Sequence, residues 1–192
     1  MDIVKIKGCL AFLQEAEKLK SVLRSAHSST GRAESTAEHS WRLCLMAMIF
    51  EDEFADMDML RILKMCLVHD LGEAIHGDIP AVERELHPDK SEQEKAALLH
   101  LTHSLGEKQR KEILSLWQEY EHAVSPESRI VKALDKLETI LQHNQGINPP
   151  DFDYEFNLTY GLEYTSTHPL FILMREILNA DTRQKIAERA QL

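Results

Sequence analysis

The chain has 192 residues, enough for one well-cored domain and too few for two. Its 22 Lys and Arg against 32 Asp and Glu leave a net charge of −10, which sets aside general binding to nucleic acid polymers or anionic membranes, since both require a basic face. Hydrophobic residues make up 43% and charged residues 28%, a globular composition, and seven glycines with six prolines favour long helices over many short strands. Apolar residues recur at helical spacing nearly throughout, with no convincing period-2 stretch. A first helix is expected from about Ile3 to Leu23, with Ile6, Leu10, Leu13 and Ala16 on one face. Residues 25–35 are polar, contain Gly31 and read as a loop. The capping-box pattern Ser35-Thr36-Ala37-Glu38 opens a second helix reaching about Phe54. A third spans about Asp58 to Ala74 and stops before Gly77-Asp78-Ile79-Pro80. Ser91 with Glu94 starts a fourth, and Gly106 separates it from a fifth ending near Tyr120. Ser125-Pro126 opens a helix to about Asn144 that ends at Gly146. A short segment at about 152–162 and a last helix from Pro169 follow the Pro149-Pro150 break. With no repeat, low-complexity tract or long linker, residues 1–192 read as a single all-α domain, a helical bundle.

The longest apolar run, Leu43 to Phe50, is far below the roughly 18 residues of a membrane helix. Lys5 and Lys7 interrupt the stretch a signal peptide would use. Cys9, Cys44 and Cys66 form no CxxC pair and read as buried free thiols of a reducing cytoplasm.

The informative residues are ionisable groups that periodicity places on apolar faces. His39 lies in register with Leu43, Met46 and Phe50. His69 shares a stripe with Ile62, Cys66 and Glu73, while Asp70 lies with Leu63 and Leu67. Asp135 follows Val131 by four residues. A buried carboxylate needs a compensating charge, and for Asp135 alone Arg129 or Lys132 would serve. Any one of these histidines read singly is a hydrogen-bonded core residue. The adjacent pair His69-Asp70, followed by Glu73 and Asp78, weakens that reading. Two imidazoles and two carboxylates suit a divalent metal such as Mn, Co, Ni, Mg, Fe or Zn, and the lack of a thiolate argues against a closed structural zinc. His100 and His103, three residues apart, are a solvated or hydrogen-bonded pair. There is no phosphate loop, no GxSxG elbow and no catalytic-cysteine motif.

In order, His39, His69-Asp70 and Asp135 match an H…HD…D signature, and the chain resembles the HD-domain metal-dependent phosphohydrolases. LKSVLR at 19–24, RAESTAEHSWRLCLMAM at 32–48, VHDLGEAIHGDIP at 68–80, LWQEYE at 116–121 and VKALDKLETILQ at 131–142 resemble the 5′-deoxynucleotidase branch, over about residues 10–180. The resemblance implies a homodimer of all-helical subunits that hydrolyses deoxynucleoside 5′-monophosphates to deoxynucleoside and phosphate. It implies metal ligands at His39, His69, Asp70 and Asp135, with Glu73 and Asp78 available for a second metal. It makes Arg24 the phosphate-orienting arginine and Glu73 and Asp78 the catalytic carboxylates. His39, Asp70 and Asp135, with the GDxP turn (Asp78, Ile79, Pro80 and the following Ala81), approach the substrate. Ser25 replaces a tryptophan that helps define the sugar pocket in some members. The alternatives are an HD hydrolase of nucleoside triphosphates or cyclic nucleotides, and a non-catalytic nucleotide-binding helical module.

The residues suit monoester hydrolysis on chemical grounds as well. A dianionic phosphate bound by an acidic protein needs local positive charge, which a metal and Arg24 can provide. A bound metal also makes water more acidic. Glu73 can accept a proton from that water or hold a second, water-rich metal, Asp78 can protonate a leaving 5′-oxygen if its pKa is raised, and the sequence leaves open which of the two is the acid.

Overall fold

Helix termini follow the capping signals closely. The computed structural model describes residues 2–190. Its helices are α1 (Ile3–Ala16), α2 (Thr36–Ile49), α3 (Met59–Val68), α4 (Glu73–His76), α5 (Lys90–Leu101), α6 (Glu107–His122), α7 (Pro126–Gln145), α8 (Leu162–Thr165) and α9 (Pro169–Arg189). The Ser35 capping box is complete: its hydroxyl accepts from the Glu38 amide, and Glu38 reaches back to the Ser35 amide. Ser125 caps α7, with Pro126 in the first turn, where its missing N–H costs nothing. By contrast α5 starts at Lys90 after Asp89, with no side-chain cap from Ser91.

Helix α7 is the spine of the molecule. It is buried along most of its length and packs on α2, α3, α6, α8 and α9. Leu43, Ile62, Met65, Val131, Leu134, Leu137 and Ile140 form the main core around it. A second cluster of Leu19, Leu71, Ala74, Leu98, Leu101 and Trp117 joins the N-terminal segment to α5 and α6.

Four expectations are corrected. The first helix ends at Ala16 and tightens into a 3-10 turn over Glu17–Ser21. None of its residues is fully buried, and Ile6, Leu10 and Leu13 are exposed; Phe12 and Ala16 make its contacts instead. The second and third helices stop at Ile49 and Val68, each followed by tight turns. Only Cys66 of the three free cysteines is buried. Finally, the polar loop is a hairpin, β1 (Leu23–His27) antiparallel to β2 (Ala33–Ser35), with an irregular register.

Strands form in this polar stretch because the end of α7 satisfies their backbone. The Gln142 side chain donates to the His27 carbonyl at 2.6 Å, Asn148 Oδ1 accepts from the His27 amide at 3.1 Å, and the Ile147 amide donates to the Ser28 carbonyl at 3.0 Å. The approach requires Gly146, because a Cβ there would lie 2.1 Å from the His27 carbonyl oxygen. This contact fixes the strand that carries Arg24. Gly146→Ala should therefore destabilise the fold by about 1–3 kcal/mol through overpacking. Urea unfolding checks this, and a loss within the roughly 0.5 kcal/mol typical of surface substitutions would contradict it.

Candidate active site

Three elements bring four donor groups together. His39 lies one turn into α2, His69 caps the C-terminus of α3 with Asp70 in the turn after it, and Asp135 lies midway along α7. His69 Nε2 is 2.9 Å from Asp70 Oδ2, and His39 Nε2 is 3.2 Å from Asp135 Oδ1 and 3.8 Å from Asp70 Oδ2. Both Nε2 atoms are buried without a hydrogen-bond partner among the described residues. Orphaned imidazole nitrogens are costly unless something pairs with them.

A divalent cation is a fitting partner. Ligands ~2.1 Å from a six-coordinate ion and at right angles lie about 3 Å apart, close to the spacing of these donors. His39, His69 and Asp70 form one compact cluster of possible ligands. Asp135 completes the set of four at its edge, with Oδ1 turned to His39. Its Oδ2 accepts from the Tyr120 hydroxyl at 2.6 Å and from Lys136 Nζ at 2.9 Å. Lys136 is the next residue on α7, and Tyr120 reaches across from α6.

A second cluster, Glu34, His39 and Glu138, also has ligand spacing. Arginines already neutralise it: Arg24 Nε is 3.7 Å from Glu34, and Arg42 Nε donates to Glu138 at 2.5 Å. His100 and His103 are exposed, with His103 Nδ1 at 2.7 Å from the His100 carbonyl, and take no part.

The remaining site residues flank the donors. Glu73 is buried, and accepts from Thr36 Oγ1 at 3.1 Å and from Lys90 Nζ at 3.5 Å. Burial, with Asp70 and Asp78 alongside, pushes its carboxyl up to about 10, against the opposing pull of Lys90 and Arg24. Burial raises Asp78 too, although Arg24, Lys90 and a hydrogen bond to Glu73 oppose the rise. Gly77 makes this turn possible with a φ of 87°, a conformation that other residues rarely adopt.

Arg24 comes from strand β1, not from the end of a helix as the sequence suggests. Its Nη1 is 3.8 Å from Asp70, and its Nη2 donates to Thr139 Oγ1 at 3.0 Å. Burial works against its charge, but Asp70, Glu138, Asp78 and Glu34 more than compensate, so it remains a guanidinium.

A cavity of about 540 Å³ opens in front of these groups, within the usual range for small-molecule sites. Arg24, Ser25, His69, Asp70, Glu73 and Asp135 line it together with Asp78, Ile79, Pro80 and Ala81. Phe152, Phe156, Tyr160 and Tyr164 add an aromatic wall. His39 is not part of the lining: it is 0% exposed and sits behind the other three donors. Sequence reasoning missed Arg42, Thr139, Lys136, Glu138 and Lys90. The available signal was that Asp135, Glu138 and Thr139 recur at i, i+3 and i+4 on one face of α7.

A helical fold that gathers two histidines and two aspartates around one point, with an arginine beside an open cavity, offers a donor set that fits a divalent cation. The chain matches the HD domain family over residues 16–172 and belongs to it. The 5′-deoxynucleotidase HDDC2 of Xenopus laevis is 32% identical over 191 residues, covering 96% of this chain and 92% of that protein. The 5′-deoxynucleotidase HDDC2 of Danio rerio is 38% identical over 138 residues, 71% of this chain and 68% of that one. Among solved structures, one titled "Predicted metal-dependent phosphohydrolase" from Magnetospirillum magnetotacticum MS-1 superposes with a TM-score of 0.82 at 26% identity. It covers 98% of this chain and 95% of that one. Membership of this family implies a divalent metal cofactor.

Two outcomes follow from the geometry. Asp70→Asn should weaken Mn(II) or Co(II) binding at least about tenfold, since loss of an outer partner alone commonly costs that much; unchanged metal content by elemental analysis would place the ion elsewhere. In metal-free protein Glu73 is raised on folding, so its contribution is present below about pH 4.5 and is lost as pH rises toward 10. Glu73→Gln should then be more stable than wild type by at least about 1 kcal/mol at pH 8, with the gap closing near pH 4. Equal stabilities of the two proteins at pH 8, measured by denaturant titration, would contradict the raised pKa.

Proposed function

We propose that this chain is a metal-dependent 5′-deoxynucleotidase, one HD phosphohydrolase domain over residues 1–192. It cleaves deoxynucleoside 5′-monophosphates to deoxynucleoside and inorganic phosphate. The observation that carries this reading is the placement of Arg24 3.8 Å from Asp70, at the donor end of the cavity. A phosphate dianion there meets a fixed guanidinium and the donor cluster together. The names of the relatives support the monoester substrate.

His39, His69, Asp70 and Asp135 would hold the cation, which supplies Lewis-acid charge and acidified water when bound. Arg24 grips the phosphate oxygens and orients the phosphorus. The Glu73–Asp78 pair handles protons: burial raises both carboxyls, and the two interact closely enough to share one. The pair takes a proton from the attacking water as the new P–O bond forms. It returns one to the 5′-oxygen as the old P–O bond breaks. Ile79, Pro80 and Ala81 present a largely apolar wall to the sugar. A ribose 2′-hydroxyl packed against that wall loses its water without gaining a partner, which disfavours ribonucleotides. Ser25, also in the lining, leaves the room that a tryptophan would fill.

A homodimer in a reducing cytoplasm is part of the same proposal. Trp41, Leu45 and Met48 form a stripe on the outer face of α2 with exposures of 64%, 38% and 53%, an apolar patch suited to a second copy. The three free thiols suit a compartment without disulfides.

Phosphate release with added Mn(II) or Co(II), from dAMP, dCMP, dGMP and dTMP beside their ribose counterparts, tests the reading. The deoxy substrates should be preferred, and triphosphates and cyclic nucleotides should be poor. Arg24→Ala should lose roughly 30- to 1000-fold in kcat/KM on every monophosphate, because phosphate is their common part. A preference for triphosphates or cyclic nucleotides, or full activity of the variant, would falsify it.

A further inference from the structure

His39 makes a contact that the proposed chemistry does not use. While its Nε2 faces Asp135 and Asp70, its Nδ1 meets the Glu138 carboxylate in a very short contact. Glu138 is 0% exposed, and its other oxygen receives Arg42 Nε at 2.5 Å. Arg42 in turn donates to Gln145 Oε1 at 3.0 Å. Neither Glu138 nor Arg42 lines the cavity, so neither meets the substrate there. The other imidazole is held differently: His69 Nδ1 pairs with the Cys66 backbone carbonyl at 2.9 Å, an acceptor the helix supplies in any case. A buried carboxylate with its own arginine is a costly way to satisfy one ring nitrogen unless its charge matters.

A neutral imidazole carries one proton, and the nitrogen without it is the one that can bind a metal. His39 has a competing choice. With the proton on Nε2 it would donate to Asp135 at 3.2 Å, and the cluster would close on its own hydrogen bond. Glu138 is the closest of the three carboxylates around the ring and holds a proton on Nδ1, so that a cation at the Nε2 side would meet that nitrogen's lone pair beside Asp70 and Asp135. We propose that Glu138, held by Arg42, is a positioning residue that fixes the His39 tautomer and so sets the affinity of the site for its cation. The proposal rests on the reading of His39 as a ligand. It makes Arg42–Glu138–His39 a relay running from the protein surface to the donor cluster.

Calorimetric titration of the metal-free protein with Co(II), without nucleotide, tests it. Glu138→Gln keeps the shape and an acceptor oxygen but removes the charge. It should weaken Co(II) binding about 10- to 100-fold, the usual effect of losing an outer partner of a metal-bound histidine. Arg42→Gln, at the part-exposed end of the relay, should weaken binding in the same direction by a smaller factor. It also serves as the informative variant should Glu138→Gln fail to fold. At saturating Co(II) the nucleotide KM of both variants should match wild type, since neither residue touches substrate. Wild-type Co(II) affinity in a folded Glu138→Gln, or in Arg42→Gln if the first variant does not fold, would overturn the positioning role and leave the ligand assignment standing. No Co(II) binding by the wild type would overturn both.

Discussion

Burial of like charge around one point is the constraint on which the rest of this structure depends. Asp70, Glu73, Asp78, Asp135, Glu138 and Glu34 crowd into one region of a protein that is already acidic overall. Such a set folds only if cations or protons are interleaved with it. Each part of the fold supplies one. Strand β1 brings Arg24 to Glu34 and Asp70, α2 brings Arg42 to Glu138, α5 brings Lys90 to Glu73, and Lys136 serves Asp135 from the next position on α7. His39 Nε2 and His69 Nε2 remain buried without a hydrogen-bond partner among the described residues. That leftover is where the proposed cation fits. The site's chemistry is therefore an outcome of charge balance as much as of ligand geometry.

Helix α7 couples these roles mechanically. Within five residues it presents Asp135 to the donor cluster, Glu138 to the back of His39 and Thr139 to Arg24. Its C-terminal end pins the hairpin through Gln142 and Gly146. A shift of α7 along its axis would thus disturb Asp135, Glu138 and the contact to Arg24 together. Buried on all sides, it is a rigid element on which to mount groups that must hold their spacing to within fractions of an ångström.

Much of this was legible in the sequence. Helical register placed His39, His69 and Asp135 on apolar faces, and the dipeptide His69-Asp70 broke the expectation of an ordinary core. The Ser35 and Ser125 caps gave two helix starts because capping is a local interaction that sequence displays directly. What was not legible depends on partners far along the chain. Arg42 and Glu138 are separated by 96 residues, and each alone resembles a solvated helix residue. The hairpin at Leu23–His27 has no period-2 pattern because α7, not an apolar face, holds it in place. The apolar residues of α1 misled for the opposite reason: Ile6, Leu10 and Leu13 repeat at helical spacing yet stay exposed in the single chain.

Crystals grown with Co(II), with diffraction data collected at the cobalt edge, test the central claim most directly. The account predicts one strong anomalous peak bounded by His39 Nε2, His69 Nε2 and the carboxylates of Asp70 and Asp135. A peak between Glu34 and Glu138, or no peak near His39 and His69, would contradict it.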